Sequence, residues 1–227
     1  MRPIVLEQGE FYHVFNRGVE KRDIFSDADD LSRFLESIQA FNLPNPIGSL
    51  FEHRFQKETQ LGSLTPKLVD VVCYCLNPNH FHLLLKQTSE KGIQKFMQRL
   101  GTGYTNYFNE KYSRSGGLFQ GTYKSVHVES NEQLLHTSVY VNLNNQLGSL
   151  TPKLSASSWT EYMDSELGHM GSICEKEVIL GQFESPDAYK KFANEALEMI
   201  VERKKQEKEM QWLLGSLTPK FERNAVQ

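Results

Sequence analysis

The sequence is poor in cysteine, tryptophan and proline, with three, two and eight among 227 residues. Three thiols (Cys73, Cys75 and Cys174) cannot form a disulfide framework, which removes the small cross-linked secreted scaffolds from consideration. No apolar run approaches the roughly 18 residues that a membrane-spanning helix needs. The first residues reach Glu7 before any long apolar stretch, unlike a secretory leader. An excess of one charge is missing too: 25 Lys and Arg face 28 Asp and Glu. On its own that balance argues weakly against a nucleic-acid binder. At 39% hydrophobic residues the chain is too apolar for disorder. The expectation is a soluble, cytoplasmic protein with one globular domain and appendages, and no membrane partner.

The charge that is present is unevenly spread. Residues 1–85 carry 8 basic and 11 acidic side chains, residues 86–124 carry 7 and 2, and residues 125–227 carry 10 and 15. The basic central block also holds Tyr104, Tyr107, Phe108, Tyr112, Phe119 and Tyr123. Cations interleaved with aromatics suit a surface that follows phosphates and stacks bases. A solvated helix face over an ordinary aromatic core accounts for the same pattern.

Phe11–Phe15 reads as a first strand, ended by Asn16-Arg17-Gly18. Ser26 or Asp27 can cap a helix with apolar positions Leu31, Phe34, Leu35, Ile38 and Phe41, which stops before Pro44 and Pro46. Val69–Leu76 and His80–Lys86 form a hairpin about Asn77-Pro78-Asn79. A helix follows from about Ser89, with Ile93, Phe96, Met97, Leu100, Tyr104 and Tyr107 on one face, until Ser115-Gly116-Gly117. Tyr123–Val128 is a strand, and Ser130 to Gln133 fits a capping box opening a helix to about Asn145. Ser185-Pro186 starts a final helix. The order β-α-β-β-α-β-α predicts an α+β fold, a mostly antiparallel sheet with helices packed on it. The expected organisation is a core over residues 8–146 with an inserted loop at about 42–67, a connecting segment at 147–182, a C-terminal helix at 183–213 and a tail at 214–227.

Leu-Gly-Ser-Leu-Thr-Pro-Lys occurs three times unchanged, at 61–67, 147–153 and 214–220. The unequal spacing excludes a solenoid, and all three copies fall where loops or a tail are expected. In codons, CTT for Leu complements AAG for Lys, GGG for Gly complements CCC for Pro, and AGT for Ser complements ACT for Thr. The heptad can therefore be encoded by an inverted repeat centred on its middle Leu. Gln60 with Leu68, and Gln146 with Leu154, extend the complementarity, whereas Leu213 and Phe221 break it in the third copy. The reading is a gene that carries repeated DNA hairpins; a peptide duplicated for a protein-level reason is the alternative.

Side chains able to do chemistry cluster in two places. On a strand, His80 and His82 project from one face and Phe81 from the other, so the two imidazoles can share a divalent metal. Two solvated histidines on a strand face are the plainer explanation. Cys73 and Cys75 on the neighbouring strand raise a structural zinc site as a rival, although their apolar surroundings suit buried, inert thiols. Farther on, His136, Tyr140 and Asn144 are spaced to share one helix face. Tyr140 there is a candidate nucleophile or simply a core aromatic.

Asn77-Pro-Asn-His-Phe-His-Leu-Leu-Leu85 resembles the signature strand (His-hydrophobic-His) of the HUH single-strand endonucleases. With Tyr12–Gly18, Gly117–Lys124 and Tyr140–Asn144, it is similar in particular to the transposases associated with repetitive extragenic palindromes, relatives of the small single-strand insertion-sequence transposases. The resemblance spans about residues 8–200 without the insertions. Two positions depart from the family pattern: Asn142 where a His is frequent, and Asn145 where Pro is usual.

The resemblance implies a ferredoxin-like HUH core with a C-terminal helical extension. It implies His80, His82 and Asn144 as ligands of Mg²⁺ or Mn²⁺, and Tyr140 as the nucleophile. The expected partner is single-stranded DNA with a hairpin, of the palindromic kind, and the expected state is a monomer or homodimer. Asn16 and Arg17 would read bases beside the hairpin, while Lys86, Lys95, Arg99, Arg114 and Lys124 would hold its backbone. Cleavage and rejoining would pass through a 5′-phosphotyrosine. The alternatives are a domesticated hairpin-binding protein without cleavage, and a metal-dependent phosphohydrolase in which water is the nucleophile.

Overall fold

The hairpin at the centre of the sequence is also the centre of the fold. In the computed structural model, which describes residues 5–48, 50, 66–147, 154–164 and 172–217 (backbone only at 208, 209 and 211–217), Val69–Asn77 forms β2 and His80–Gln87 forms β3. β1 is Phe11–Arg17, β4 is Lys124–Val128 and β5 is Ala156–Ser157. These make a five-stranded sheet in the order β4-β1-β3-β2-β5, each neighbouring pair antiparallel. The α+β class with a mostly antiparallel sheet is what the structure has. β5 escapes sequence reading because two residues cannot display a period.

One face of the sheet is covered by α1 (Ala28–Ala40) and α2 (Gly92–Lys111). Phe25, Phe34, Phe81 and Tyr104 meet there, with ring centroids 4.9–5.7 Å apart. The Tyr104 hydroxyl donates to the Ile24 carbonyl at 2.6 Å, so its buried polar end is satisfied. Asp27 caps α1 by accepting from the Asp30 N–H. Asp30, wholly buried, accepts from Ser26 N–H, from the Tyr107 and Tyr112 hydroxyls and from Lys111. That network joins the ends of α1 and α2.

The other face is covered by α3 (Asn131–Asn142), which packs on β2, β3 and β4. Ser130 caps it by accepting from Gln133 N–H, and the Gln133 side chain reaches back to the Glu129 N–H. α3 ends three residues before the expected Asn145, and a 3-10 turn at Asn144–Gln146 follows. Two short helices, α4 (Trp159–Met163) and α5 (Glu177–Leu180), lie in the connecting segment. The last helix, α6 (Pro186–Leu217), packs on α3 and α4. It continues four residues past the expected boundary at 213. The strong helix formers of its charged half sustain it, so the first four residues of the third heptad copy are helical rather than part of a tail. Residues 61–65 and 148–153 of the other copies lie outside the described residues, as do 49 and 51–65 of the expected insertion. The described ends of that insertion are clamped together. Asn42 donates to the Val69 carbonyl at 2.7 Å and accepts from the Val69 N–H at 2.9 Å.

The turn of the central hairpin is fixed by the segment after β1. Pro78 O accepts from Ile24 N–H and Phe25 N–H, and Asn79 O accepts from Gly18 N–H. Gly18 is required by space: a Cβ there would lie 2.2 Å from the Arg22 carbonyl oxygen. Tight packing of this loop holds the end of β3 that carries His80.

Candidate active site

Strand pleating puts His80, His82 and Leu84 on the α3 face and Phe81, Leu83 and Leu85 on the opposite one. Register then selects their neighbours. His82 lies across from Phe15 on β1 and Cys75 on β2; His80 lies across from Arg17 and Asn77. From above, α3 lowers Tyr140 onto this row. Its ring stands edge-on to His82 at 5.6 Å and to His13 at 5.7 Å. The 3-10 turn after α3 then carries Asn144 to His80. His136, one turn earlier on the same helix face as Tyr140, packs on Phe192 of α6.

The polar atoms converge. His80 Nε2 and Asn144 Oδ1 lie 3.3 Å apart, and the Asn77 amide nitrogen sits 3.1 Å from the first and 3.0 Å from the second. Asn77 Nδ2 has two protons to give, one to each lone pair. On the far side of the ring, His80 Nδ1 is 2.6 Å from Asn79 Oδ1. A carboxamide oxygen only accepts, so Nδ1 carries the proton and Nε2 the lone pair. Burial favours the neutral form of all three imidazoles, taking His82 down to about 2 and His13 to about 4, and lowering His80.

This donor set suits a divalent ion. Neutral imidazole nitrogen and amide oxygen are both ligands, and here one of each points at the same amide N–H₂, the kind of electropositive group an ion would replace. Among the described residues no group of three or more His, Cys, Asp or Glu could hold a metal, so His80 and His82 would need Asn144 or non-protein oxygens to complete the shell. The cysteines offer no competing site. Cys73 and Cys75 are fully buried; burial pushes the Cys75 thiol up to about 12 and Cys73 well above its ordinary range.

Beside the histidines opens a cleft of about 500 Å³, lined by Phe15, Asn16, Arg17, Lys21, Asn79, His80, His82, Gln120 and Lys124. Three of these are cations. A second cleft of about 510 Å³ lies on the other side of Tyr140, bounded by His13, His136 and Thr137 and by Met199 and Arg203 of α6. Lys204 of α6 holds its ammonium 5.2 Å from the centre of the Tyr140 ring.

Of the seven residues expected to contact DNA, Asn16, Arg17 and Lys124 therefore line the histidine cleft. Arg17 bonds to Gln120, and Asn16 donates to the Gly121 carbonyl at 3.1 Å. The other four lie elsewhere. Lys86 covers the Phe11 ring, and Lys95 donates to the Glu90 carbonyl. Arg99 holds the carbonyls of Leu43 and Pro44, and Arg114 packs over Phe108 while donating to Asn109. Reading the sequence missed His13, Lys21, Asn77 and Lys204. His13 had a usable signal, since it alternates with Phe15 on one strand; Lys21 and Lys204 reach the site only through tertiary packing.

The two departures from the family pattern have structural work. Asn142 is buried, accepts from Ser158 Oγ at 2.6 Å and donates to the Tyr189 hydroxyl at 3.2 Å, tying α3 to α4 and α6. Asn145, within the turn that carries Asn144, donates its side-chain amide to Ser155 Oγ at 3.4 Å.

Comparison with known proteins agrees with the motif resemblance. Residues 57–144, under half of the chain, match the family model described as transposase IS200 like. The matched segment contains β2, β3, α2, β4 and α3, and with them His80, His82, Tyr140 and Asn144. No curated protein matches the chain. Among solved structures, the chain is similar to a REP-associated tyrosine transposase bound to a REP hairpin, with 10% identity, a TM-score of 0.43, and coverage of 77% of this chain and 93% of that one.

Proposed function

We propose that this chain, whose residues 57–144 match the family model described as transposase IS200 like, is a metal-dependent single-stranded DNA endonuclease and transposase that acts at DNA hairpins through a tyrosine nucleophile. The observation that carries this reading is the meeting of two segments, far apart in the sequence, at one point. The His80/His82 strand and the Tyr140 helix with its Asn144 turn converge beside a cleft lined by Arg17, Lys21 and Lys124.

His80, His82 and Asn144 would hold Mg²⁺ or Mn²⁺. Such an ion supplies charge neutralisation and orientation to a phosphate. Arg17, Lys21 and Lys124 bind the flanking phosphates of a single strand and set its direction along the cleft. Tyr140 Oη attacks phosphorus; the bond to the 3′ oxygen breaks, that oxygen takes up a proton, and the 5′ phosphate stays on the tyrosine. The ester keeps the energy of the broken bond, so a second 3′ hydroxyl can reverse the step and join strands without a nucleotide cofactor. Asn16, which lines the cleft, would read bases next to the hairpin. No helix among the described residues is long and apolar enough to cross a membrane.

The test is a denaturing gel with an end-labelled single-stranded hairpin oligonucleotide and Mg²⁺ or Mn²⁺. A protein-linked product carrying the 3′ fragment, absent in EDTA, is expected. Cleavage without a protein adduct makes water the nucleophile, and binding without cleavage makes the chain a hairpin-binding protein.

A further inference from the structure

His13 on β1 has no part in the reaction as described, yet it is in direct contact with a ligand candidate. Its Nε2 lies 2.8 Å from His82 Nδ1, and the two rings meet edge to edge through that contact, with centroids 5.0 Å apart and planes 21° apart. His82 itself is 8% exposed, and among the described residues this is the hydrogen bond its ring makes.

Two neutral imidazoles facing nitrogen to nitrogen share one proton, and where it sits decides what His82 can do. If His82 Nδ1 donates, its Nε2 keeps a lone pair. If His13 Nε2 donates, His82 carries its proton on Nε2 and cannot bind a cation there. At His80 the same choice is made by Asn79, whose oxygen accepts from Nδ1 and leaves Nε2 free. We infer that His13 is a positioning residue for the metal site: it accepts the Nδ1 proton of His82 and so holds that ring in the tautomer and orientation that present Nε2. The pairing works as an orienting partner does behind a metal-bound histidine, with a neighbouring imidazole in place of a carboxylate or carbonyl.

Packing supports the same assignment. The β1–β3 register places His13 diagonally from His82, with Phe15 directly opposite it. Phe15 and His13 then bracket the His82 ring, at 5.6 and 5.0 Å, with Tyr140 edge-on to it. The ring cannot turn to find another partner for Nδ1 without breaking these contacts.

The inference rests on the metal reading of His80 and His82, and the experiment separates the two. Mn²⁺ is titrated calorimetrically into the full chain as wild type, His13→Phe and His13→Gln, with melting curves in EDTA as the check on folding. His13→Phe keeps an aromatic ring and loses the acceptor, and binding should weaken about 10–100-fold. His13→Gln can accept the same proton through Oε1 and should recover most of that loss. In metal-free wild type, imidazole ¹⁵N shifts should report His82 protonated at Nδ1, a readout available even if His13→Phe does not fold. Wild-type affinity in a folded His13→Phe, no recovery in a folded His13→Gln, or a His82 proton on Nε2 would each overturn the inference. A wild type that takes up no Mn²⁺ overturns the metal reading as well, and that result appears in the wild-type titration alone.

Discussion

The two faces of the sheet are built from the same strands and do opposite work. On the α1/α2 face, β1 and β3 present Tyr12, Val14, Phe81, Leu83 and Leu85, all buried and apolar in their packing. On the α3 face the alternate residues are His13, Phe15, His80 and His82, met by Tyr140 and Asn144. Along β3, Phe81, Leu83 and Leu85 all join the core, while the other parity sets His80 and His82, the candidate ligands, beside the buried Leu84. One face can therefore carry the fold while the other keeps buried polar groups that an apolar core would not tolerate.

The sharpest test of that division removes one oxygen from the polar face. Tyr140→Phe should abolish the covalent DNA adduct, lowering its formation by about 10³-fold or more, because no other atom of that ring can attack phosphorus. Hairpin binding, followed by gel shift, should change by less than about threefold. An adduct that persists in the variant would pass the role to another tyrosine. Tyr104 and Tyr107 are the next candidates by sequence, but they lie on the opposite face.

Neighbouring residues on β3 should separate the two functions. His80→Ala removes a half-buried imidazole at the edge of the cleft and should cut metal-dependent cleavage by about 100-fold, with EDTA reproducing the loss in the wild type. Its melting temperature should stay close to that of the wild type. Phe81→Ala, one residue on, removes a ring packed against Phe34 and Phe119, a loss of about 3–5 kcal/mol. That corresponds to a melting temperature lower by roughly 10 °C, with Mn²⁺ affinity unchanged well below the transition. If His80→Ala destabilised as much as Phe81→Ala while leaving cleavage intact, the α3 face would be core rather than site.

How much of this was legible in the sequence follows from the range of each interaction. The β2–β3 hairpin, the caps of α1 and α3 and the pairing of His80 with His82 are local, and period and turn chemistry reveal them. The β1–β3 pairing joins residues about 70 apart, so the contact of His13 with His82 was hidden even though His13 stands within a recognised motif. The basic block divides in space for the same reason. Spacing cannot distinguish Lys124, which opens into the cleft, from Arg99, whose guanidinium is engaged by the carbonyls after α1.

That distinction predicts a smaller, salt-dependent effect. Arg17→Ala and Lys124→Ala should each weaken single-strand binding several-fold at moderate salt. Each should also reduce the slope of log affinity against log salt by about 1, the signature of a lost phosphate contact. Arg99→Ala should leave the slope alone and lower the melting temperature slightly, since its partners are backbone carbonyls. Equal slopes in all three variants would show that the strand does not follow the Arg17–Lys124 cleft.

The smallest effect on the protein is expected from the repeated heptads, and their meaning lies in the DNA. Deleting residues 214–220 trims the end of α6 beyond the part that meets Tyr140 through Lys204. Cleavage of a cognate hairpin should then stay within about twofold of the wild type. The copies at 61–67 and 147–153 fall where the chain connects elements, and added length there costs little closure entropy. The clamp of Asn42 on Val69 keeps the ends of the first of these connections together whatever its length. A peptide identical three times at unequal spacing points to selection or copying at the nucleotide level. Leu/Lys, Gly/Pro and Ser/Thr codons that pair about a central Leu would fold the coding strand into a hairpin of the kind this site is proposed to cut. Single-stranded oligonucleotides from the three gene segments should therefore bind at least several-fold better than shuffled strands of equal length and composition. Codons that form no stem, or equal binding to the shuffled strands, would return the heptads to a duplication of peptide.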